Sequence, residues 1–315
     1  MRVTTAPLQP ELDRIVAAGA GAVIAEVRWD GHTTRLASGV IELGRPRRAP
    51  VNGRFRIGGV TESFTATVVL QLVAEGRLGL DDPLGAHLPN PAADITVRHL
   101  LGHTSGLPEH PGPAPRRRAR DLADLTVMFA PGTRYAPSGT GYRLLGMVIE
   151  EVTGRPYTRE ITDRIIKPLK LTATRTPTSS TAINGPHAHG YLMTGGRPRD
   201  VTRLDPTAAG AAGGVMSTAA DLNTFFHALL TGGLLPPAEL TLMKTPGVGG
   251  AYGLGLEIAD TPCGTAYGHR GAILGYSTLS FHSADADRQL SLSMTAYDDA
   301  AHAALRAAFT TGFWS

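Results

Sequence analysis

The chain has 315 residues, of which 42% are apolar and 18% charged, a composition typical of a folded protein with a substantial core. Its net charge of +3 gives no reason to expect binding to nucleic acid or to an anionic membrane. The single cysteine, Cys263, excludes an internal disulfide and a cysteine-rich metal centre. Because no run of 18 apolar residues occurs, the sequence predicts no membrane-spanning helix.

The N-terminal segment predicts a short helix followed by a β-hairpin. Leu12, Ile15 and Val16 have helical spacing over residues 12–20. The two stretches that follow, AVIAEVRWDG and TTRLASGVIEL, alternate as strands do and meet near Asp30-Gly31. The segment lacks the uninterrupted apolar run of a signal peptide, so we expect a cytoplasmic protein.

A largely buried helix is predicted over residues 61–75. The stretch TESFTATVVLQLVAE is apolar at most positions, and Gly76 follows as a stop signal. Residues 81–204 predict loops and helices, including a helix over residues 142–152 that ends at Gly154. The basic stretch APRRRAR, residues 114–120, is interpreted as a solvated loop in preference to an anion-binding patch.

The last third of the chain predicts a capped helix, three strands and a final helix. The cap is Ser217 or Thr218 with Asp221, the strands lie in YGLGLEIAD, YSTLSFHS and QLSLSMTAY, and the helix is AAHAALRAAF. Strands at both ends of the chain and helices in its middle predict an α+β fold with one antiparallel sheet built from both termini. We expect a single domain over residues 1–315, with a sheet lobe (1–80 plus 205–315) and a helical lobe (81–204).

Five blocks, in this order, carry a family resemblance. They are FRIGGVTESFTATVVLQLVAEGRLGLDDPL, ITVRHLLGHTSGLP, PGTRYAPSGTGYRLLGMVIEEVTG, AGGVMSTAADLNTFFHALLTGGLL and YGHRGAILGYST. Together they resemble the serine β-lactamase and D-alanyl-D-alanine peptidase superfamily, and within it the class C-like, penicillin-binding-protein-like esterase branch. The resemblance covers roughly residues 12–312 and implies the serine β-lactamase-like fold.

The same resemblance implies that two catalytic motifs have been lost. The family places a Ser-x-x-Lys pair at the head of the buried helix, where this chain has Gly59-Val60-Thr61-Glu62. It places Tyr-x-Asn where this chain has Pro137-Ser138-Gly139, whereas His269-Arg270-Gly271 matches its His-x-Gly motif. The three lysines, at positions 167, 170 and 244, form no Ser-x-x-Lys anywhere in the sequence.

Glu62 and His269 are the candidate catalytic residues. The resemblance puts both side chains in the old cleft, where a carboxylate opposite an imidazole can move protons. In that hypothesis burial raises the pKa of Glu62 toward neutrality. The alternatives are a carboxylate that only favours the helix N-terminus and a histidine that only hydrogen-bonds the scaffold. A separation above about 8 Å would count against the pair.

Further residues are assigned with their alternatives open. Gly59, Ser138, Tyr135, Arg270 and Gly271 are expected to line the substrate site. For Arg270 the alternatives are binding of a substrate carboxylate and, as strand alternation favours, a side chain that points to solvent. His103 and Ser105 are interpreted as structural. A displaced serine nucleophile at Ser63 or Ser138 lacks a nearby base in sequence. His187 and His189 are interpreted as a loop pair, and we expect no metal and no cofactor.

Three functions remain open. The first is a repurposed biosynthetic enzyme that performs noncovalent acid/base chemistry (cyclisation, isomerisation, elimination or hydrolysis) on a small molecule. The second is a catalytically inactive pseudoenzyme that binds a ligand or partner. The third is an acyl hydrolase or acyltransferase with a displaced serine. The expected partner is a small molecule, with no nucleic acid and no membrane.

Overall fold

A computed structural model describes residues 8–89, 94–109, 126–205, 207, 209–296, 299–311 and 314. The basic stretch at 114–120 lies outside the described residues. The strands are β1 (Ala20–Trp29), β2 (His32–Gly39), β3 (Phe55–Arg56), β4 (Tyr191–Thr194), β5 (Arg197–Asp200), β6 (Met216–Ser217), β7 (Glu257–Thr261), β8 (Gly264–Ile273), β9 (Tyr276–Ser283) and β10 (Gln289–Ala296). The α-helices are α1 (Leu8–Ala17), α2 (Thr61–Ala74), α3 (Val97–Leu101), α4 (Gly139–Thr153), α5 (Tyr157–Ile161), α6 (Gly210–Gly213), α7 (Ala219–Leu230), α8 (Pro237–Lys244) and α9 (Asp299–Thr311).

The main sheet is antiparallel and is built from both ends of the chain, as predicted. Its six strands lie in the order β2-β1-β10-β9-β8-β7. The hairpin turn between β1 and β2 is the predicted Asp30-Gly31, where both residues have positive φ angles of 48° and 71°. The pairing of β1 with β10 joins the N-terminal and C-terminal segments in one sheet.

Helices cover both faces of this sheet. On one face, α1 and α9 bury Leu12 and Leu305 against strand residues such as Val23 and Phe281. On the other face, α7 packs against β1, β9 and β10. Helix α2 contacts α7, where the Phe64 ring of α2 stacks on Phe225 of α7 at 3.8 Å between centroids. The sheet is therefore the central layer of the molecule. Helix α2 lies between the sheet and the helical part, which is the described part of residues 81–204 and contains α3, α4 and α5.

Helix α2 is buried on nearly every side, as its apolar composition predicts. All residues from Thr61 to Leu70 are buried. Its N-terminal end meets β8 and its length runs beside α4 and α6. A helix enclosed in this way holds the side chains of its first turn in fixed positions at the boundary between the sheet and the helical part.

The structure differs from the prediction in several places. The first helix starts at Leu8 and ends at Ala17, because Gly19, with φ of 110°, turns the chain into β1. The strand predicted in YGLGLEIAD begins only at Glu257. The hairpin of β4 and β5 inside the helical part was not predicted, because the exposed β5 sequence RPRD has no apolar alternation. Among the described helices, none combines the length and apolar character needed to cross a lipid bilayer.

Candidate active site

The chain is pressed against β8 just before α2. A 3-10 turn, Gly58–Val60, leads into the helix, and Gly58 has a φ of +52°. A Cβ atom at Gly58 would lie 2.8 Å from the backbone of Ala272, so glycine is required there for conformation and for space. A Cβ atom at Gly59 would lie 3.0 Å from the Arg270 carbonyl oxygen and 3.5 Å from Cε1 of His269. Half-buried Gly59 thus opens to solvent directly beside His269.

Glu62 lies one helical turn after Gly59 and faces two histidines. Its Oε2 atom accepts a hydrogen bond of 3.0 Å from Nε2 of His103 and lies 3.4 Å from Nε2 of His269. The hydroxyl of Tyr252 lies 3.5 Å from the same oxygen. Glu62, His103 and His269 are each at most 6% exposed. The predicted pair of Glu62 and His269 is therefore close in space. His103 and Tyr252, which were not predicted to belong to the pair, also contact Glu62.

The hydrogen bonds of His103 assign its tautomer. The backbone N–H of Ser138 donates to Nδ1 of His103 at 3.2 Å, so Nδ1 carries a lone pair. The proton of the neutral ring is then on Nε2, from which it is donated to Glu62. His103 also accepts the Ala136 N–H at its backbone carbonyl, at 2.9 Å. This histidine therefore ties the loop before α4 to the carboxylate.

His269 has the opposite arrangement. Its Nδ1 atom donates to the carbonyl oxygen of Arg270 at 2.5 Å and lies 3.7 Å from a carboxylate oxygen of Glu257. Its Nε2 atom lies 2.9 Å from the Tyr252 hydroxyl as well as 3.4 Å from Glu62. Because Nδ1 always carries a hydrogen here, Nε2 is the nitrogen that gains or loses a proton.

The pKa values of the two candidate residues are shifted in opposite directions. Burial favours the neutral acid at Glu62, but the two facing histidines outweigh it, and the pKa of Glu62 lies below its ordinary value. Burial favours the neutral ring at His269, but its carboxylate partners Glu62 and Glu257 outweigh it and raise its pKa. The expectation that burial would raise the pKa of Glu62 was therefore wrong, because the interactions with His103 and His269 outweigh the effect of burial. These opposite shifts favour the carboxylate form of Glu62 and the protonated form of His269.

Two buried tyrosines complete the cluster. The Tyr142 hydroxyl donates to the carbonyl oxygen of Leu101 at 2.8 Å and lies 3.4 Å from the Tyr252 hydroxyl. Burial raises the pKa of both phenols well above the ordinary value, so both stay neutral. Tyr252 was missed by sequence reasoning because it precedes a strand in a different part of the chain, with no spacing that relates it to Glu62.

The residues predicted to line the substrate site do not all lie together. Tyr135, 36% exposed, lies at the rim with its ring centroid 5.6 Å from that of Tyr252, and burial raises its pKa to about 12. Ser138 is 2% exposed beside His103. Gly271 packs under the turn before α2, since a Cβ atom there would lie 1.9 Å from the carbonyl oxygen of Ile57.

Arg270 faces away from the cluster. Its guanidinium pairs with Glu257 at 2.5 Å and lies over the ring of Phe281 at 5.1 Å, with 55% of the side chain exposed. His269 and Arg270 thus point to opposite faces of β8, as alternation along the strand predicts.

The two serines considered as displaced nucleophiles are held by other groups. Ser63 is fully buried, and its hydroxyl donates to the carbonyl oxygen of Gly255 at 2.8 Å. The Ser138 hydroxyl donates to the carbonyl oxygen of Pro108 at 3.2 Å. Neither hydroxyl is hydrogen-bonded to a base that would activate it.

Glu62, His103 and His269 are the one group in the described residues whose ligand atoms lie close enough to hold a metal ion, within 4.8 Å of one another. The hydrogen bonds do not suit a metal. A ligating histidine donates its second ring N–H to an acceptor, as His269 does, whereas His103 receives an N–H there. His187 and His189 stack at 5.7 Å between centroids, and the described residues supply no third ligand to them.

Comparisons with known proteins agree with this fold. A sequence model of the family described as Beta-lactamase matches residues 12–310. The chain belongs to the beta-lactamase family. Penicillin-binding protein 4 of Amycolatopsis lactamdurans is 32% identical over an alignment 284 residues long, and the match covers 80% of this chain and 74% of that protein. The resemblance seen in the sequence is confirmed.

Solved structures confirm the expected fold. The D-stereospecific amidohydrolase from Streptomyces sp. has a TM-score of 0.85 and 34% identity, covering 98% of this chain and 99% of that chain. The D-amino acid amidase from Ochrobactrum anthropi SV3, complexed with L-phenylalanine, has a TM-score of 0.85 and 26% identity, covering 97% and 99%. The α+β architecture with an antiparallel sheet is therefore that of this family.

Proposed function

We propose that this member of the beta-lactamase family is a noncovalent proton-transfer enzyme that acts on a small molecule. The family motif begins with a serine, and Gly59 at that position has no side chain with which to attack a carbonyl. Glu62 takes the place of the motif lysine, and the chain has no Ser-x-x-Lys elsewhere. These residues support chemistry without an acyl-enzyme.

The observation that carries the proposal is the pair of Glu62 and His269, with Oε2 and Nε2 3.4 Å apart and pKa values shifted in opposite directions. Environments that drive two titratable groups apart create one base and one acid at the same pH. The distance between Oε2 and Nε2 is longer than the N–O distance of about 2.7 to 2.9 Å found in strong charge-assisted hydrogen bonds. The carboxylate and imidazolium are therefore adjacent without being locked to each other.

The proposed proton transfer balances within the cluster. The Glu62 carboxylate accepts a proton from the substrate, and His269 donates its Nε2 proton to the substrate atom that becomes negative. The pair changes from carboxylate and imidazolium to carboxylic acid and neutral imidazole, so the net charge of the cleft is constant. His103 stays a hydrogen-bond donor to Glu62 throughout.

The substrate class is proposed from the solved neighbours. One of them is named a D-stereospecific amidohydrolase and another a D-amino acid amidase. A small amino acid derivative, such as an amide, carries an acidified C–H bond next to a carbonyl group. Proton removal at that carbon and return of a proton to it is isomerisation, and loss of a leaving group is elimination.

The test is deuterium uptake. The protein is incubated in D2O with D- and L-phenylalanine amide and a panel of other amino acid amides. Each compound is then returned to H2O, so that only carbon-bound deuterium remains, and its mass is measured by mass spectrometry. We expect a gain of one mass unit in at least one compound with the wild-type protein and with Glu151→Gln, an exposed matched control on α4. Glu62→Gln should abolish it. Uptake that is equal in Glu62→Gln, or absent from every compound, would contradict the proposal.

A second candidate is binding without catalysis, and one observation favours it. Glu62 and His103 are buried and bonded to each other, and the Nδ1 atom of each cluster histidine has a backbone partner. A structural ion pair has the same appearance. In that case an amide that raises the melting temperature of the wild-type protein also stabilises Glu62→Gln, with no deuterium uptake in either.

A further inference from the structure

A second pocket lies outside the candidate active site. It has a volume of about 620 Å³ and is lined by residues of three regions: β3 and β6 with their flanks, the turn of π-helix at Thr162–Ile166, and the loop 173–184. Of the cluster residues Glu62, His103, Tyr252 and His269, none lines it. This volume is within the range of pockets that hold small organic ligands.

The charged side chains that line this pocket in the described residues are all cationic. Arg54, Lys167 and Arg175 line it, and its described lining residues include no aspartate or glutamate. Lys167 is paired with Asp163 at 2.8 Å. Neither Arg54 nor Arg175 forms a salt bridge with a carboxylate in the described part of the chain. Two arginines therefore line the pocket without a carboxylate partner among the described residues.

Both guanidinium groups are oriented by backbone carbonyl groups. Nη1 of Arg54 donates to the carbonyl oxygen of Asn184, and Nη1 of Arg175 donates to that of Thr174 at 2.7 Å. Gly185, with φ of +93°, lets the loop close over Arg54, since a Cβ atom there would lie 2.6 Å from its Nη1. A carbonyl oxygen carries no full charge, so these bonds position the forks and leave their charge uncompensated.

The rest of the wall matches a ligand with two different ends. Ser180 accepts the Ala182 N–H at 3.3 Å, and in the described residues its own hydroxyl hydrogen is donated to no group. Ile166, Pro177 and Met216 supply an apolar surface. The wall therefore supplies cationic, hydroxyl and apolar groups to the same pocket.

We propose that this pocket binds a phosphate monoester of a small organic molecule. A phosphate monoester is largely a dianion at neutral pH and offers three acceptor oxygens, which match two guanidinium forks and a hydroxyl donor. A single carboxylate would leave one of the two arginines uncompensated. Inorganic phosphate fills the cationic part alone, whereas the organic group covers Ile166 and Met216.

The test is isothermal titration of the full chain with phenyl phosphate at constant ionic strength. We expect sub-millimolar affinity for the wild-type protein and weaker binding of inorganic phosphate and of benzoate. Arg175→Gln should weaken binding about tenfold or more, the loss expected for a charge-assisted hydrogen bond. Arg175→Lys should weaken it less, because the charge is retained. Arg47→Gln, at an exposed arginine that does not line the pocket, should leave it unchanged.

Several results would overturn the assignment. No heat of binding with millimolar phenyl phosphate would mean a solvated basic surface. Equal affinity in the wild-type protein and Arg175→Gln would place the anion elsewhere. Benzoate binding as tightly as phenyl phosphate would remove the need for a dianion. Because Arg175 is exposed, unfolding curves of its variants should match the wild type and separate lost binding from lost folding.

Discussion

Two buried glutamates in this molecule are held in different ways. Glu26 on β1, 1% exposed, receives Nε–H bonds of 2.7 Å from both Arg28 and Arg35. Glu62 on α2, 6% exposed, faces two histidines at 3.0 and 3.4 Å. Arginine keeps its charge at all ordinary pH values, whereas histidine changes charge near neutrality. Glu26 is thus suited to fixing the sheet, and Glu62 to exchanging protons.

The surroundings of the two carboxylates reinforce the contrast. Asn223 of α7 donates to a side-chain oxygen of Glu26 at 3.2 Å and to its backbone oxygen at 3.1 Å, which ties the helix to the sheet. Glu62 is reached instead by the hydroxyl of Tyr252 at 3.5 Å and borders the open position at Gly59. The same side chain therefore serves as a structural link in one place and as a candidate base in the other.

The largest expected effect is that of Glu26→Gln on stability. The substitution keeps the size of the side chain but weakens two charge-assisted hydrogen bonds from partly exposed arginines. Such bonds contribute about 1.5 kcal/mol each, so we expect a loss of about 3 kcal/mol. Urea unfolding should show this loss in the free energy of unfolding. Deuterium uptake by the folded variant should equal that of the wild type, and a loss of uptake would mean that Glu26 also influences the cleft.

The matched substitution Glu62→Gln should cost less stability and remove the chemistry. The amide oxygen still accepts the His103 N–H, so we expect a loss of about 1 to 2 kcal/mol in the free energy of unfolding. Deuterium uptake should disappear. A stability loss as large as that of Glu26→Gln, with uptake retained, would make Glu62 a second structural carboxylate.

The pH dependence of stability should separate His269 from Glu62. Because the folded-state pKa of His269 is raised above 6.5, its contribution is complete below pH 6.5 and is lost as the pH rises through the folded-state value. The lowered pKa of Glu62 gives a contribution present above pH 4.5 that is lost as the pH falls through its folded-state value. Urea unfolding of His269→Gln should therefore lack the decline above pH 6.5.

The control for that titration is His103→Gln. The decline above pH 6.5 is assigned to His269, so it should persist in this variant. If His103→Gln removes the decline and His269→Gln does not, the protonation assignment of the two rings is reversed.

The smallest expected effect is that of zinc. Coordination through Nε2 of His103 would move its hydrogen to Nδ1, against the N–H of Ser138. Saturating Zn²⁺ should therefore leave the melting temperature of the wild-type protein within about 1 °C of the metal-free value. A stabilisation that saturates with zinc and disappears in His103→Gln would show that Ser138 yields its bond to a metal site.

The prediction of the fold followed local patterns closely. The apolar run at 61–75 became α2, and the alternating stretches became β1, β2, β9 and β10 with shifts of a few residues. The hairpin of β4 and β5 was missed because its polar, exposed residues carry no periodic signal. The single-domain assignment and its lobe limits stay predictions.

The sequence by itself determined that Gly59 and Glu62 are one helical turn apart at the head of a buried helix, because that spacing is a local property of the α-helix. Only the tertiary structure decided what faces Glu62. His103 is 41 residues from it and Tyr252 is 190, and no local rule relates positions so far apart. The interactions of His103 and His269 with Glu62 reverse the shift that burial alone predicts for the pKa of Glu62, because together they outweigh the loss of water.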